Sequence, residues 1–132
     1  MKKMIIIAFV LNFMSCQHNI SKEIRLKQRV NAYHVSLIKG EYASSWSFLW
    51  HDAKRRHSLD DWVLFCQRSD SEKKLIEYKI KSFSISRVKK GTYLAKVNLV
   101  GRHEMTRLGK VEEIKGEDEW VFENGDWYRY ID

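Results

Sequence analysis

Proline is absent from all 132 residues, so every break in the chain must come from glycine or from short polar residues. Six glycines are available for that task. Cysteine is also scarce: Cys16 and Cys66 could form at most one bridge, which rules out a disulfide-built miniature scaffold. No apolar run reaches the roughly 20 residues that a permanent membrane-spanning helix needs. The five histidines (His18, His34, His51, His57 and His103) include no pair three or four apart, so no helix-borne metal site is expected. There is no Gly-rich phosphate loop and no nucleophile elbow around a serine, so no cofactor is implied.

What is present is a core. An apolar fraction of 44% with 13% aromatics, in a chain of this length, is enough for one compact domain. The formal charge is +7, of which Lys2 and Lys3 supply two, leaving +5 if the first residues are removed. Lys and Arg are mixed with Glu and Asp along the body, which describes a solvated surface rather than a nucleic-acid groove.

The segment Met1 to Ser15 has a basic start, about ten apolar residues and a small residue before Cys16, the pattern of a secretory signal. Phe13-Met14-Ser15-Cys16 resembles the lipobox of bacterial lipoproteins, although Phe13 and Met14 stand where that family usually has Leu and a small or β-branched residue. The alternatives are an ordinary signal peptide or an uncleaved anchor. The resemblance implies cleavage between Ser15 and Cys16, lipid attachment at Cys16 and a place in the cell envelope. Gln17 after the cysteine implies the outer membrane in a two-membrane bacterium. Membrane lipid is then the first partner, and nucleic acid is excluded by export. Gln17 to Ile20 span about 15 Å when extended, so the domain from residue 21 to 132 must sit close to the lipid. With Cys16 acylated, Cys66 has no partner and reads as a small buried hydrophobe.

The body divides into a helical half and a sheet half. From Ser21 to Lys39, Ile24, Val30, Tyr33 and Leu37 recur at helical spacing, with Asn19 or Ser21 to cap the start and Gly40 to close the end. Glu41 to Trp50 reads as a short second helix with Trp46, Leu49 and Trp50 on one side. His51 to His57 reads as a polar loop whose charges are most simply a solvated turn, with a basic rim contacting lipid phosphates as the functional alternative. Ser58-Leu-Asp-Asp61 caps a third helix carrying Trp62, Phe65 and Cys66 on one face. After Glu72 the period becomes two, with a phase change near Lys81-Ser82 that predicts a β-bulge. Lys89 to Thr92 turns the chain into a strand in which Tyr93, Ala95, Val97 and Leu99 share a face, and Gly101 marks a bend. Residues 102 to 116 fit either an extended strand with a loop at Gly109 or a separate hairpin. Asn124-Gly125 writes a type I′ turn in which Phe122 faces Trp127, Trp120 faces Arg129 and Val121 faces Tyr128.

This order, with helix one ending at Lys39-Gly40-Glu41-Tyr42 and the pattern Trp-x-Phe-x-Asn-Gly-x-Trp from Trp120, resembles the nuclear transport factor 2-like fold. The resemblance implies an α+β domain with N-terminal helices packed in the concave face of a bent antiparallel sheet. A cystatin-like sheet on one helix is the runner-up. In that superfamily, enzymes such as ketosteroid isomerase and scytalone dehydratase hold an Asp, His or Tyr inside the cone as acid and base. Tyr33, His34, Asp52 and His103 are residues of that type here, and none lies in a matching motif, so the catalytic residues remain unassigned. Tyr33, Leu37, Trp46, Trp50, Trp62, Trp120, Phe122 and Trp127 are the expected lining of a pocket. The expected function is a membrane-anchored, non-catalytic domain binding a small hydrophobic ligand or an envelope protein, the latter through the sheet face around Lys79, Lys81 and Arg87. The alternative is an isomerase- or dehydratase-like enzyme acting in the same cone.

Overall fold

The structure is a computed structural model that describes residues 21–132; the signal segment, Cys16 and the tether lie outside the described residues. The described chain runs α1 (Lys22–Ile38), α2 (Tyr42–Trp46), α3 (His51–Arg56), α4 (Leu59–Glu72), β1 (Lys73–Lys89), β2 (Thr92–Met105), β3 (Lys110–Glu123) and β4 (Asp126–Tyr130). The four strands form one antiparallel meander in the order β1-β2-β3-β4.

Capping sets where the helices begin. The Ser21 hydroxyl accepts from Ile24 N at 3.2 Å and the Ser58 hydroxyl from Asp61 N at 3.2 Å, each satisfying a backbone donor that the first turn leaves free. Gly40, at φ 73°, ends α1 in the left-handed conformation. The segment from His51 to His57, expected as a loop, contains α3. Its Asp52 lies in the first turn and Lys54, Arg55 and Arg56 in the last, an order that complements the helix dipole, and its Ala53 is fully buried. The second helix is shorter than expected: it stops at Trp46, and Leu49 instead bridges to β4. Trp50 N donates to Arg129 O at 2.9 Å and Arg129 N to Phe48 O at 2.8 Å, so this segment covers the β4 edge that would otherwise stand open.

The sheet is bent by the irregularities of its first strand. Strand β1 slips register between Leu75 and Glu77, between Ile80 and Ser82 and between Arg87 and Lys89, and each extra residue tightens the local twist. The stretch 102–116 resolves into the first of its two sequence options: β2 continues to Met105, turns through Thr106–Gly109 and returns as β3. The terminal hairpin has the expected register, Phe122 with Trp127, Trp120 with Arg129 and Val121 with Tyr128. Asn124 at φ 55° and Gly125 at φ 83° make its I′ turn.

The concave face of the sheet presents Ile85, Phe83, Ile80 and Tyr78 from β1, opposite Ala95, Val97, Leu99 and Gly101 of β2. Trp120 and Trp127 continue that face, and α1 lies across it through Leu26, Val30 and Tyr33. Trp127 Nε1 donates to Lys22 O at 2.9 Å, and the guanidinium of Arg25 grips Asp126 at 3.0 and 2.9 Å, fixing the start of α1 to the last hairpin. Ile24 and Phe65, both expected on inward faces, are 53% and 62% exposed; the inward positions belong to Leu26 in α1 and to Trp62 and Cys66 in α4.

Candidate functional site

The interior of the cone is not filled from end to end. Between α1, α4 and the far half of the sheet lies a cavity of about 250 Å³. Leu37, Trp62, Phe65 and Leu75 supply its apolar walls, and Tyr33, His34, His103, Asp118 and Arg129 its polar ones. Helix α1 brings Tyr33 and His34 to the cavity on consecutive positions, because its buried stripe is wide enough to hold both. Asp118 and Arg129 arrive from β3 and β4: Asp118 lies two residues before Trp120 and Arg129 directly opposite it, so both point inward with the tryptophan.

These side chains form one linked group. His34 Nε2 lies 2.9 Å from Asp118 Oδ2, and Arg129 Nη2 donates to Asp118 Oδ1 at 3.2 Å. A second guanidinium nitrogen, Nη1, donates to the Glu119 carbonyl at 3.1 Å and also reaches the Tyr130 carbonyl. Burial alone would raise the Asp118 carboxyl, but the hydrogen bond from His34 and the charge of Arg129 outweigh it and hold it below the usual carboxylate range. Asp118 is therefore an anion, and His34 donates to it through Nε2. That leaves His34 Nδ1 buried with no partner among the described residues, and Arg129 Nε and His103 Nδ1 are in the same condition. Three unspent hydrogen-bonding atoms on residues that line a cavity are an invitation to a ligand or an ordered water.

Burial shifts several of the other groups around the cavity. Burial pushes the Tyr33 hydroxyl well up, with Arg129 pulling back only partly. The Cys66 thiol is pushed up to about 11 by burial and by the nearby Asp70 charge, so it is a protonated wall and not a nucleophile. Burial, then the Lys73 charge, holds His103 below its ordinary value and keeps it neutral. At the rim, the hydrogen bond from Tyr42 to Asp70 pushes the Tyr42 hydroxyl up to about 12. Trp62 Nε1 donates to Ser45 Oγ at 2.8 Å, which locks the α4 wall against α2.

Of the eight residues expected to line a pocket, Tyr33, Leu37 and Trp62 do so. Trp120 and Trp127 are fully buried in the core, Trp120 edge-on to Tyr33 at 5.6 Å between ring centres and Phe122 edge-on to Trp127 at 5.2 Å. Trp46 donates to the His57 carbonyl at 3.0 Å, and Trp50 packs outside the sheet against Tyr130. These five are thus structural neighbours of the site and not its lining. Among the acid–base candidates, Tyr33, His34 and His103 meet at the cavity, whereas Asp52 lies on α3 and pairs with Arg55. Asp118, Arg129 and Asp70 were not among the sequence candidates. Strand parity held the signal for the first two, since both share the inward face of Trp120.

No protein-family model and no curated protein matches the sequence. Solved structures do match. A ketosteroid isomerase-like protein from Erwinia carotovora atroseptica SCRI1043 superposes with a TM-score of 0.57 at 10% identity, over 80% of this chain and 88% of that one. The protein Aln2 from a Streptomyces species superposes with a TM-score of 0.58 at 8% identity, over 83% and 88%. At such identities the likeness establishes the fold: this is an α+β domain of the nuclear transport factor 2-like type, with helices in the concave face of a curved antiparallel sheet. Its activity has to be argued from the site.

Proposed function

We propose that the chain is a lipid-anchored envelope protein whose cone cavity binds a small, largely apolar molecule without converting it. The supporting observation is the 250 Å³ cavity with apolar walls and a preorganised polar base of His34, Asp118 and Arg129. The unspent atoms of His34, His103 and Arg129 suit a ligand that offers both a hydrogen-bond donor and an acceptor, such as a hydroxyl or a carbonyl with a hydroxyl beside it. Binding is favoured over turnover because Asp118 already has both oxygens engaged and its proton affinity lowered, and Asp70, the other carboxylate of the lining, accepts from Tyr42. Binding is favoured over a protein-docking role for the sheet because the outer face is charged. Arg102 pairs with Glu77 at 2.9 Å there, among Lys79, Lys81, Glu113 and Lys115. Anchoring rests on the Ser15-Cys16 motif.

A second reading has its own observation. Asp118 accepting from His34 is the arrangement in which a carboxylate orients an imidazole, and such a pair moves protons when a substrate meets the free nitrogen. One experiment separates the two. The chain is extracted from its own envelope, and the small molecules it carries are identified by mass spectrometry before and after prolonged incubation with an excess of the same compound. A bound compound recovered unchanged supports binding. A changed compound, with the change abolished in His34→Gln, establishes the enzyme. Absence of any bound compound, with no uptake of apolar hydroxyl or carbonyl compounds, would overturn both.

A further inference from the structure

Two tight turns and the start of α1 meet at one end of the cone. Lys22 Nζ lies 4.8 Å from the ring centre of Tyr93 and 5.3 Å from that of Phe122, and those two residues pair in the last rungs before the turns. Arg87 sits in this rung opposite Tyr93, and the β1–β2 turn carries Val88, Lys89, Lys90 and Gly91 beyond it. All five residues are exposed, Val88 to 64%, and none is acidic. On the neighbouring hairpin Asp126 is already engaged by Arg25 at 2.9 Å and Arg29 at 3.6 Å. The cavity lies elsewhere. Its rungs run from Val97 with Asp118, four residues further along β2 than Tyr93, to Leu75 with His103, ten residues further, about 13 to 33 Å of strand contour.

We propose that this tip, Lys22 with Arg87, Val88, Lys89 and Lys90, docks on anionic lipid headgroups and stands the domain on the membrane with its cavity directed away from the lipid. The reading rests on lipid attachment at Cys16 for its orientation. Four residues separate Cys16 from Ser21, so about 15 Å of chain brings this end, and not the cavity end, to the bilayer surface. Three cations on an exposed turn and a fourth at the helix start meet negative phosphates, and Val88 provides a small apolar contact between them. The α3 cations, the more obvious basic cluster in the sequence, are committed within the fold. Arg55 pairs with Asp52, Arg56 donates to the Ile131 carbonyl at 2.7 Å, and Lys54 is half-buried over the Trp46 ring, whereas Lys22 lies over its two rings from an exposed position.

The test uses the full chain purified from membranes, with Val88→Cys carrying an environment-sensitive dye and Leu108→Cys, on the far turn, as the control. Its intact mass first reads whether Cys16 bears acyl chains, which settles the anchor separately. The protein is then placed in phosphatidylcholine vesicles with or without phosphatidylglycerol and quenched with headgroup nitroxides. Docking requires stronger quenching at 88 than at 108, dependent on phosphatidylglycerol, and relieved by high salt and by Lys89→Gln with Lys90→Gln. Equal quenching at the two sites, or quenching at 88 that ignores lipid charge and both lysines, overturns it. If Cys16 proves unmodified, docking is read from binding of the chain to the same vesicles. Removal of two basic side chains should then weaken binding roughly 25-fold, at about fivefold each, and no binding to the anionic vesicles overturns the proposal.

Discussion

Replacing Asp118 by Asn tests the centre of the site, because it keeps the shape and removes the charge. In the native protein Asp118 accepts from His34 and from Arg129, and the side chains of all three are less than one fifth exposed. The substitution leaves the Arg129 guanidinium buried without a counter-charge and puts an amide where an acceptor stood. Breaking a buried pair by removing one partner typically costs 3–5 kcal/mol. The amide oxygen retains one acceptor, so the lower end, about 3 kcal/mol, is expected. Urea unfolding followed by tryptophan fluorescence near pH 7 reads this directly. The pH dependence supplies a second readout. Asp118 titrates below its unfolded value, so its contribution is fully present above the ordinary carboxylate pKa and is lost as pH falls through the lowered folded one. The native protein should therefore weaken on acidification over that window more steeply than the Asn variant. A cost under about 0.5 kcal/mol, or an unchanged acid limb, would refute the claim that Asp118 is an anion held by two partners.

Three further outcomes follow from other parts of the fold. Gly125→Val should cost more than about 1 kcal/mol, since φ of 83° is hostile to a β-branched residue; equal melting temperatures would show that the turn is not strained by it. Gly101→Ala places a methyl 2.7 Å from His103 Cε1 and 3.0 Å from Leu75 Cδ1, both on the cavity wall. The two side chains should swing into the cavity, lowering ligand retention while stability falls by less than about 1.5 kcal/mol, as ligand titration and urea unfolding would show. Cys16→Ser should leave the fold intact and abolish membrane retention of the mature chain; retention at the mature mass would remove the anchor from the account.

The terminal hairpin was legible to single-residue register because Asn124-Gly125 admits one turn type and the flanking aromatics alternate without interruption. The caps at Ser21 and Ser58 were legible for a similar local reason, as was the bulge where the inward phase breaks after Ile80. Residues 110–117 carried no such signal. Their side chains are exposed on both faces apart from a half-buried Ile114, so period two leaves no apolar trace, and Asp118 lost its parity label just before Trp120 restored it. Helix α3 was misread because its charges resemble a solvated turn; their order along the chain was the clue. The cavity itself was beyond reach of pattern. Inward aromatics announce a core, but which of them fill the cone and which leave it open depends on how far α4 stands from the sheet, and Phe65 pointing mostly outward is part of that answer.

The most direct measurement of the central claim is a crystal structure of the protein taken from its own envelope, examined in the cavity between α1, α4 and the sheet. Density is expected for a small molecule lying against Leu37 and Trp62, with a polar group within hydrogen-bond reach of His34 Nδ1, His103 Nδ1 or Arg129 Nε. Phe65, Leu75 and His103 collapsed into the space, with all three polar atoms satisfied by the protein, would contradict a ligand site there.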